Sequence, residues 1–398
     1  VTRGNAPKKK GVTMKIIFNR SAISAAVAPL MCAVSGKSTL STIEGILIEA
    51  KTPDTCVMTT FDLEKGVRIT VEAKVLEEGS YIINAQKFVQ TLRVMEGEEV
   101  TLTVDDKLVA CIFSGKSSHK MSALSGGDFP NIPDLASDRS FLVGQAIFKK
   151  MMNQVSFAMG VNDQRMVLNG TFVKITDDSV MMVACDSFKL AKCRKQAELV
   201  NKNTNGNEHL EYKFIVPVKT MNELNRLLSD DEEAVMQIYV TRKHIVFLIG
   251  DLIFFSRLVD GDYIDYDRII VKSHRIRVKV EKRELISALE RAALVTEERI
   301  AGSVRSHVKL DIAGGLMKIS AVSSAGSTYD ELGIEQDGED LLIAFNNRYL
   351  IDSVRACDSN TLTLSLSSPL TSMNIEPADG QEEGEEEIFM LLPVRMKE

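Results

Sequence analysis

No stretch of this chain stays apolar for the roughly 20 residues that a membrane-spanning helix requires. Its first thirteen residues, VTRGNAPKKKGVT, are basic and polar and lack the apolar core of a secretory signal. The six cysteines (Cys32, Cys56, Cys111, Cys185, Cys193 and Cys357) form no Cys-x-x-Cys pair. That suits reduced thiols in a cytosolic protein and argues against a disulfide scaffold or a zinc site. The five histidines (His119, His209, His244, His274 and His307) show no metal-ligand spacing. Asp260-Gly261-Asp262 lacks the ligand spacing of a calcium loop, and no G-x-G-x-x-G fingerprint is present. No serine, threonine or cysteine sits in a recognisable nucleophile motif. Two Gly-Lys-Ser strings, at 36–38 and 115–117, look like the end of a phosphate-binding loop. Met31 and Ala110 stand where that loop needs its first glycine, so both strings read as polar turns. Together these absences point to a protein without catalysis, cofactor or metal.

What the chain does contain is itself, three times. SYIINAQKFVQTLRVM (80–95), KFIVPVKTMNELNRLL (213–228) and LLIAFNNRYLIDSVRA (341–356) share one plan. Each is a short apolar strand, a polar step and an amphipathic helix. The windows lie roughly 130 residues apart, far beyond the ~20–50 residues of a solenoid unit, so the repeating object is a domain. A second string agrees: Ser122-Ala123-Leu124-x-x-Gly127-Asp128-Phe129 recurs as Ser256-Arg257-Leu258-x-x-Gly261-Asp262-Tyr263. Each third also opens with a strand and a helix, at MKIIFNRSAISAAVAPL, FLVGQAIFKKMMNQV and IRVKVEKRELISALERAALV. Ile23, Val27 and Leu30, and again Leu285, Leu289 and Ala292, fall at helical spacing. Alternating runs such as 67–75, 98–106 and 361–369 follow as strands. The expectation is an α+β fold of three domains, each with two helices on antiparallel sheet. Residues 1–13 are expected to be a disordered extension. Domain one covers 14–138, domain two 139–271 and domain three 272–398, ending in the apolar tail 388–396. The acidic run 382–387 reads as a solvated hairpin loop.

Charge is unevenly placed. The whole chain carries −7, which by itself argues against a polyanionic partner. Yet the expected helices (20–34, 84–95, 144–159, 218–229, 281–295 and 346–357) hold twelve Lys or Arg against five Asp or Glu. Positive charge concentrated on helices would attract phosphates without regard to sequence.

Taken in order, DQRMVLNG (163–170), ACDSFKLA (184–191), SRLVDGDYIDYDR (256–268), AFNNRYLIDSVRA (344–356) and MLLPVRM (390–396) carry a specific resemblance. With the threefold repeat, they make the chain resemble the bacterial sliding clamps, the β-subunit family of DNA polymerase III, from Met14 to Met396. The resemblance implies two three-domain crescents joined head to tail into a ring around duplex DNA, helices inside and sheets outside. It implies a cytoplasmic, non-catalytic processivity factor for replication and repair. Its partners would be the polymerase III α subunit, the clamp loader and other proteins that dock through short linear peptides.

Site residues carry over position by position. The partner-peptide groove would be walled by Leu168, Cys185, Ser187, Phe188, Lys189, Leu190, Ile264, Arg268 and Ile269. Met390, Leu391, Leu392, Pro393, Val394, Arg395 and Met396 would complete it. DNA would be faced by Arg20, Lys37, Lys149, Asn162, Lys219, Arg226 and Arg283. Lys87 and His119 of the first domain would meet Leu294 and Val295 of the third across the ring interface. Some positions depart from the family pattern. Met166-Val167 replaces a tyrosine pair, Cys185 a threonine, Lys189 an arginine and Ile264 a proline. Lysine lacks the planar two-pronged geometry of arginine, so peptide preference should shift. Two other classes remain open at this point: a phosphotransferase using Gly36-Lys37-Ser38, and a β-rich scaffold that ignores DNA.

Overall fold

In a computed structural model of the chain, residues 11–36, 38–51, 54–296, 307–324 and 326–396 are described. The chain divides into two compact units. The first comprises 1–141, 202–205 and 235–257; the second comprises 142–201, 206–234 and 258–398.

The first unit is antiparallel sheet carrying two helices, α1 (Arg20–Leu30) and α2 (Ala85–Val94). Asn19 starts α1 by accepting the backbone N–H of Ala22 at 3.1 Å, and Asn84 starts α2 by accepting that of Lys87 at 3.0 Å. Such short side chains satisfy backbone donors that a first turn leaves open. The periodic apolar residues Ile23, Val27 and Leu30 are buried, as their spacing requires. The expected helix 20–34 is shorter in fact. Pro29 has no N–H to give the turn before it, and the chain tightens to a 3-10 turn at Met31–Ala33. The Gly115-Lys116 string closes the hairpin of Val109–Ser114 and Ser117–Ser125, with Gly115 at φ +57°.

The second unit holds α3 (Gln145–Ser156), α4 (Val218–Leu227), the single turn α5 (Tyr266–Ile269), α6 (Lys282–Thr296) and α7 (Asn347–Ala356). Helix α3 packs on α4 and α6 on α7, and α3 also touches α7, so four helices form one layer. The polar step of the repeat is Asn346 before α7, accepting Tyr349 N–H at 3.2 Å, and Pro217 before α4. Proline suits that place because a first-turn N–H has no helical partner to lose.

Beside this layer lies a nine-stranded antiparallel sheet. Its order is Tyr212–Pro217, Gly170–Ile175, Ser179–Cys185, Lys189–Gln196, Glu386–Leu391, Met373–Pro377, Thr361–Leu366, Ile276–Glu281 and Glu335–Asp337. Lys189–Gln196 pairs with Glu386–Leu391, bringing the string ACDSFKLA against the C-terminal run. A separate four-stranded sheet ends in the edge strand Gly326–Gly333.

The acidic run departs from its reading as a solvated loop only at its end: residues 381–385 do form the loop between two strands, with Glu382 and Glu383 exposed. Glu386 opens a strand opposite Arg194, and Glu387, opposite Cys193, is 2% exposed. Lys195 Nζ lies 2.9 Å from Glu385 and 2.8 Å from Glu387, and Lys192 Nζ lies 2.8 Å from Glu386. The Glu387 carboxylate also accepts the backbone N–H of Asp358 at 3.0 Å. Charge can be buried here because the neighbouring strand supplies the counterions and the hydrogen bonds.

Candidate functional site

The pairing of Lys189–Gln196 with its two neighbours assembles most of the expected groove wall. Cys185 lies opposite Leu190, and Leu190 opposite Met390. These three pack with Leu168, Met181, Val183 and Ile270 in one buried apolar cluster, with Ile264, Tyr263 and Tyr266 against it. Phe172 stacks on Tyr263 with ring centroids 5.4 Å apart. Gly261 sits at φ +119°, where a Cβ would press on Val167 at 3.1 Å, so a side chain is unwelcome in that turn.

Above this floor the surface is apolar and open. Phe188 is 55% exposed, Ile269 42% and Leu392 41%. The hairpin carrying Phe188 is shaped by Asp186, whose Oδ1 accepts the backbone N–H of Phe188 at 2.7 Å and of Lys189 at 2.8 Å. The Lys189 ammonium binds the other oxygen of Asp186 and lies 4.5 Å above the Tyr349 ring. Phe188 and Tyr349 have ring centroids 6.3 Å apart. Arg165 donates to Ser187 Oγ at 3.0 Å and pairs with Asp163 at 3.2 Å, which anchors the hairpin from a second side. The tail is tied down by its backbone: Leu392 N–H donates to Phe188 O at 2.9 Å, and Val394 N–H to Ala344 O at 2.8 Å.

The residues assigned to the groove therefore play different parts. Leu168 and Leu190 are wholly buried and shape the floor, while Leu391, next to Met390 on its strand, is wholly buried on the sheet's other face. Lys189 is buried too, consumed by Asp186 and Tyr349. Arg268 is exposed and pairs with Asp265 at 2.9 Å. Burial, reinforced by Asp186, pushes the Cys185 thiol up to about 11, so it stays a neutral apolar group. Tyr349 escaped the sequence reading. Its signal was available: it follows the Asn346 cap in the third repeat window, where a first-turn side chain points back toward the strand end.

The expected DNA-facing set is partly spent inside the protomer. Arg20 Nε donates to Gly97 O at 2.7 Å, Lys149 pairs with Asp230 at 2.8 Å, and Arg226 with Glu223 at 3.1 Å. Lys150 pairs with Asp358, Arg291 with Asp330 and Arg355 with Glu290. The helix charge counted from sequence thus overstates the field the helices present, since Asp230, Asp330 and Asp358 come to them from loops and strands. Arg283 is exposed; its carbonyl accepts the Ser287 hydroxyl at 2.9 Å, and its guanidinium makes no ion pair among the described residues. Lys219 is exposed. Asn162 is exposed at φ +57°, a left-handed conformation that asparagine tolerates. Lys37 lies outside the described residues. Of the expected interface residues, Lys87 and His119 are exposed, Leu294 is 78% exposed and Val295 only 9%. Leu294 is therefore the member of its pair that offers a side chain.

Comparison with known proteins accounts for most of the chain. Residues 14–133 match the N-terminal domain of the DNA polymerase III beta subunit, 142–265 its central domain and 267–390 its C-terminal domain. The Staphylococcus epidermidis protein named beta sliding clamp is 26% identical over 373 residues, covering 91% of this chain and 94% of that one. A structure of a DNA polymerase III beta subunit from Eubacterium rectale is 26% identical, with a TM-score of 0.87 over 96% of this chain and all of that one (100%). The Bacillus subtilis DNA polymerase sliding clamp, at 23% identity, has the same fold, with a TM-score of 0.87 over 97% of this chain and 100% of that one.

Proposed function

Because this chain belongs to the DNA polymerase III β-subunit family, we infer that it is a DNA sliding clamp, a non-catalytic processivity factor of bacterial replication. The observation that carries this is the succession of three clamp domains within residues 14–390. It acts as a ring of two copies around duplex DNA and works in the cytoplasm, where the chromosome is copied. Retention is topological, so DNA contact need only be weak and indifferent to sequence. A polymerase tied to the ring stays at the primer end at high effective concentration.

Ring closure is supported by two open strand edges. One is Gly326–Gly333, at the end of its sheet. The other is the first half of Ser117–Ser125, which pairs with Val109–Ser114 but meets Gly79–Asn84 only from Ala123 onward. His119 stands on that open half. Open edges invite association, and head-to-tail joining of two copies would close both. Exposed Leu294 and Lys87 would flank that joint. DNA would be met by Arg20, Lys37, Lys149, Asn162, Lys219, Arg226 and Arg283, internal partners tempering the charge of Arg20, Lys149 and Arg226 among them. Partner peptides, including those of the polymerase α subunit and the clamp loader, would lie on Phe188, Ile269 and Leu392 over the Leu168–Cys185–Leu190–Met390 floor.

The test is retention. Protein loaded on circular DNA should remain bound and should leave when that DNA is linearised. Equal retention on both forms would overturn the reading.

A further inference from the structure

Across the nine-stranded sheet, one row of directly opposed residues changes character halfway. Cys185, Leu190 and Met390 form its apolar half, the floor of the groove. Met390 is opposite Asn374, Asn374 opposite Ser365, and Ser365 opposite Arg277, and these make the polar half. Opposed residues on antiparallel strands share a face, and adjacent strands lie about 5 Å apart. The groove floor therefore runs directly into a polar cleft of about 580 Å³ beneath residues 267–274, whose border with the apolar half is Ile270 and Ile388.

Two acceptors in this cleft are unpaired among the described residues. Asn374 is 3% exposed. Its Nδ2 donates to Val271 O at 3.0 Å, which fixes the amide and leaves Oδ1 buried without a donor. His274 Nε2 also meets Val271 O at 3.0 Å, a contact that requires the ring N–H there, and in the neutral ring Nδ1 is then a second buried acceptor without a donor. The charges add a third demand. Lys192 is held by Asp267 and Glu386. Glu376 lies on the same face and is met only by the Ser365 hydroxyl at 3.3 Å, with no cation paired to it among the described residues. Lys272 and Arg277 are exposed at the rim. A buried acceptor without a donor is costly, so such groups are normally matched by a ligand or ordered water.

We propose that this cleft is a binding site for a guanidinium or alkylammonium group, and that the group arrives as an Arg or Lys side chain next to the apolar residues of a segment docked in the groove. The cation supplies the donors that Asn374 and His274 lack and the countercharge that Glu376 lacks. The second half of this statement rests on the groove reading above; the first half does not. It also names Asn374 and Glu376 as residues that set partner specificity, outside the apolar wall.

Three probes separate the possibilities: ethylguanidinium, acetyl-Leu-Leu-Arg-amide, and the same tripeptide with neutral citrulline in place of arginine. In the full-length protein, ethylguanidinium should shift the Asn374 side-chain amide and His274 ring resonances saturably. The arginine peptide should bind at least tenfold tighter than ethylguanidinium and about fivefold or more tighter than the citrulline peptide. Asn374→Leu and Glu376→Gln should each remove that discrimination; Glu376→Gln, at a half-buried position, guards against misfolding of the first. Saturable ethylguanidinium binding with no gain from the leucines would keep the cation site and sink the groove reading. Equal affinity for the arginine and citrulline peptides, with no ethylguanidinium shift, would overturn the proposal.

Discussion

Asp186 and Lys189 close on each other twice, through a backbone bond from Asp186 N–H to Lys189 O at 3.0 Å and through their side chains. The same closure stands in the first domain, where Asp62 N–H meets Lys65 O at 3.1 Å, Asp62 Oδ1 accepts Glu64 and Lys65 N–H, and the two side chains pair. One hairpin device thus occurs in both copies, but only the second presents an exposed phenylalanine; Glu64 holds that place in the first. Asp186→Ala and Asp62→Ala should each cost about 1–2 kcal/mol, the loss of acceptors for backbone donors. Only Asp186→Ala should also weaken partner-peptide binding, by tenfold or more, because only it releases Phe188. Urea unfolding and peptide titration of both variants check the pair.

Groove residues should separate into two classes when truncated. Phe188→Ala should leave stability within about 0.5 kcal/mol, since its ring is more than half exposed. It should nevertheless reduce peptide affinity tenfold or more, as aromatic anchors at binding surfaces do. Leu168→Ala, at a fully buried position, should cost about 2–5 kcal/mol of stability. Calorimetric unfolding alongside binding isotherms distinguishes them.

Glu387 and Lys195 give a third prediction. Lys195→Met leaves a carboxylate at 2% exposure without its cation, and loss of one partner of a buried pair costs about 3–5 kcal/mol. Glu385→Gln should cost far less, because Lys195 keeps Glu387. Thermal unfolding of the two variants decides whether the acidic run is a structural element or, as its composition first implied, a solvated loop.

The repeat plan, the strand-to-helix order and the α+β class were legible because each rests on short-range periodicity and on caps such as Asn84 and Asn346. What stayed hidden depends on register between distant strands. Nothing local in QEEGEEE says that Lys192 and Lys195 will lie across from it. Nothing near Lys149, Lys150 or Arg291 announces Asp230, Asp358 and Asp330 as partners. The groove strings were legible only as a resemblance; that Leu168 lies in the floor while Phe188 stands out from it needed the pairing of Lys189–Gln196 with both neighbours.

Stability should respond at both ends of the pH scale through named pairs. The Asp358 carboxyl is held below its ordinary value by its bond to Lys150, against the opposing effect of burial. A depressed carboxylate contributes above its unfolded pKa of about 3.9, and the contribution is lost as pH falls through the folded value. Lys150→Met should therefore weaken the protein above pH ~4 and flatten the acid limb, by less than about 1 kcal/mol since both groups are half exposed. For Lys195, burial alone would lower the pKa, but Glu387 and Glu385 outweigh it and raise the value. That contribution is complete below the unfolded lysine pKa of about 10.4 and is lost as pH rises through the folded value. Glu387→Gln should remove part of the alkaline limb, read from unfolding midpoints between pH 9 and 12.

The tail supplies the sharpest cut. Leu391 is fully buried and pairs with both Lys189 and Met373, so it belongs to the sheet. Leu392 is exposed and held to Phe188 by one backbone bond, and Val394 to Ala344 by another. A chain ending at Leu391 should therefore keep its unfolding midpoint within a few degrees while losing partner-peptide binding tenfold or more. A chain ending at Met390 removes a core side chain and should lose about 2–5 kcal/mol as well. If the chain ending at Leu391 bound peptide normally, the residues from Leu392 onward would have no part in the groove, and Phe188 with Ile269 would have to carry it alone.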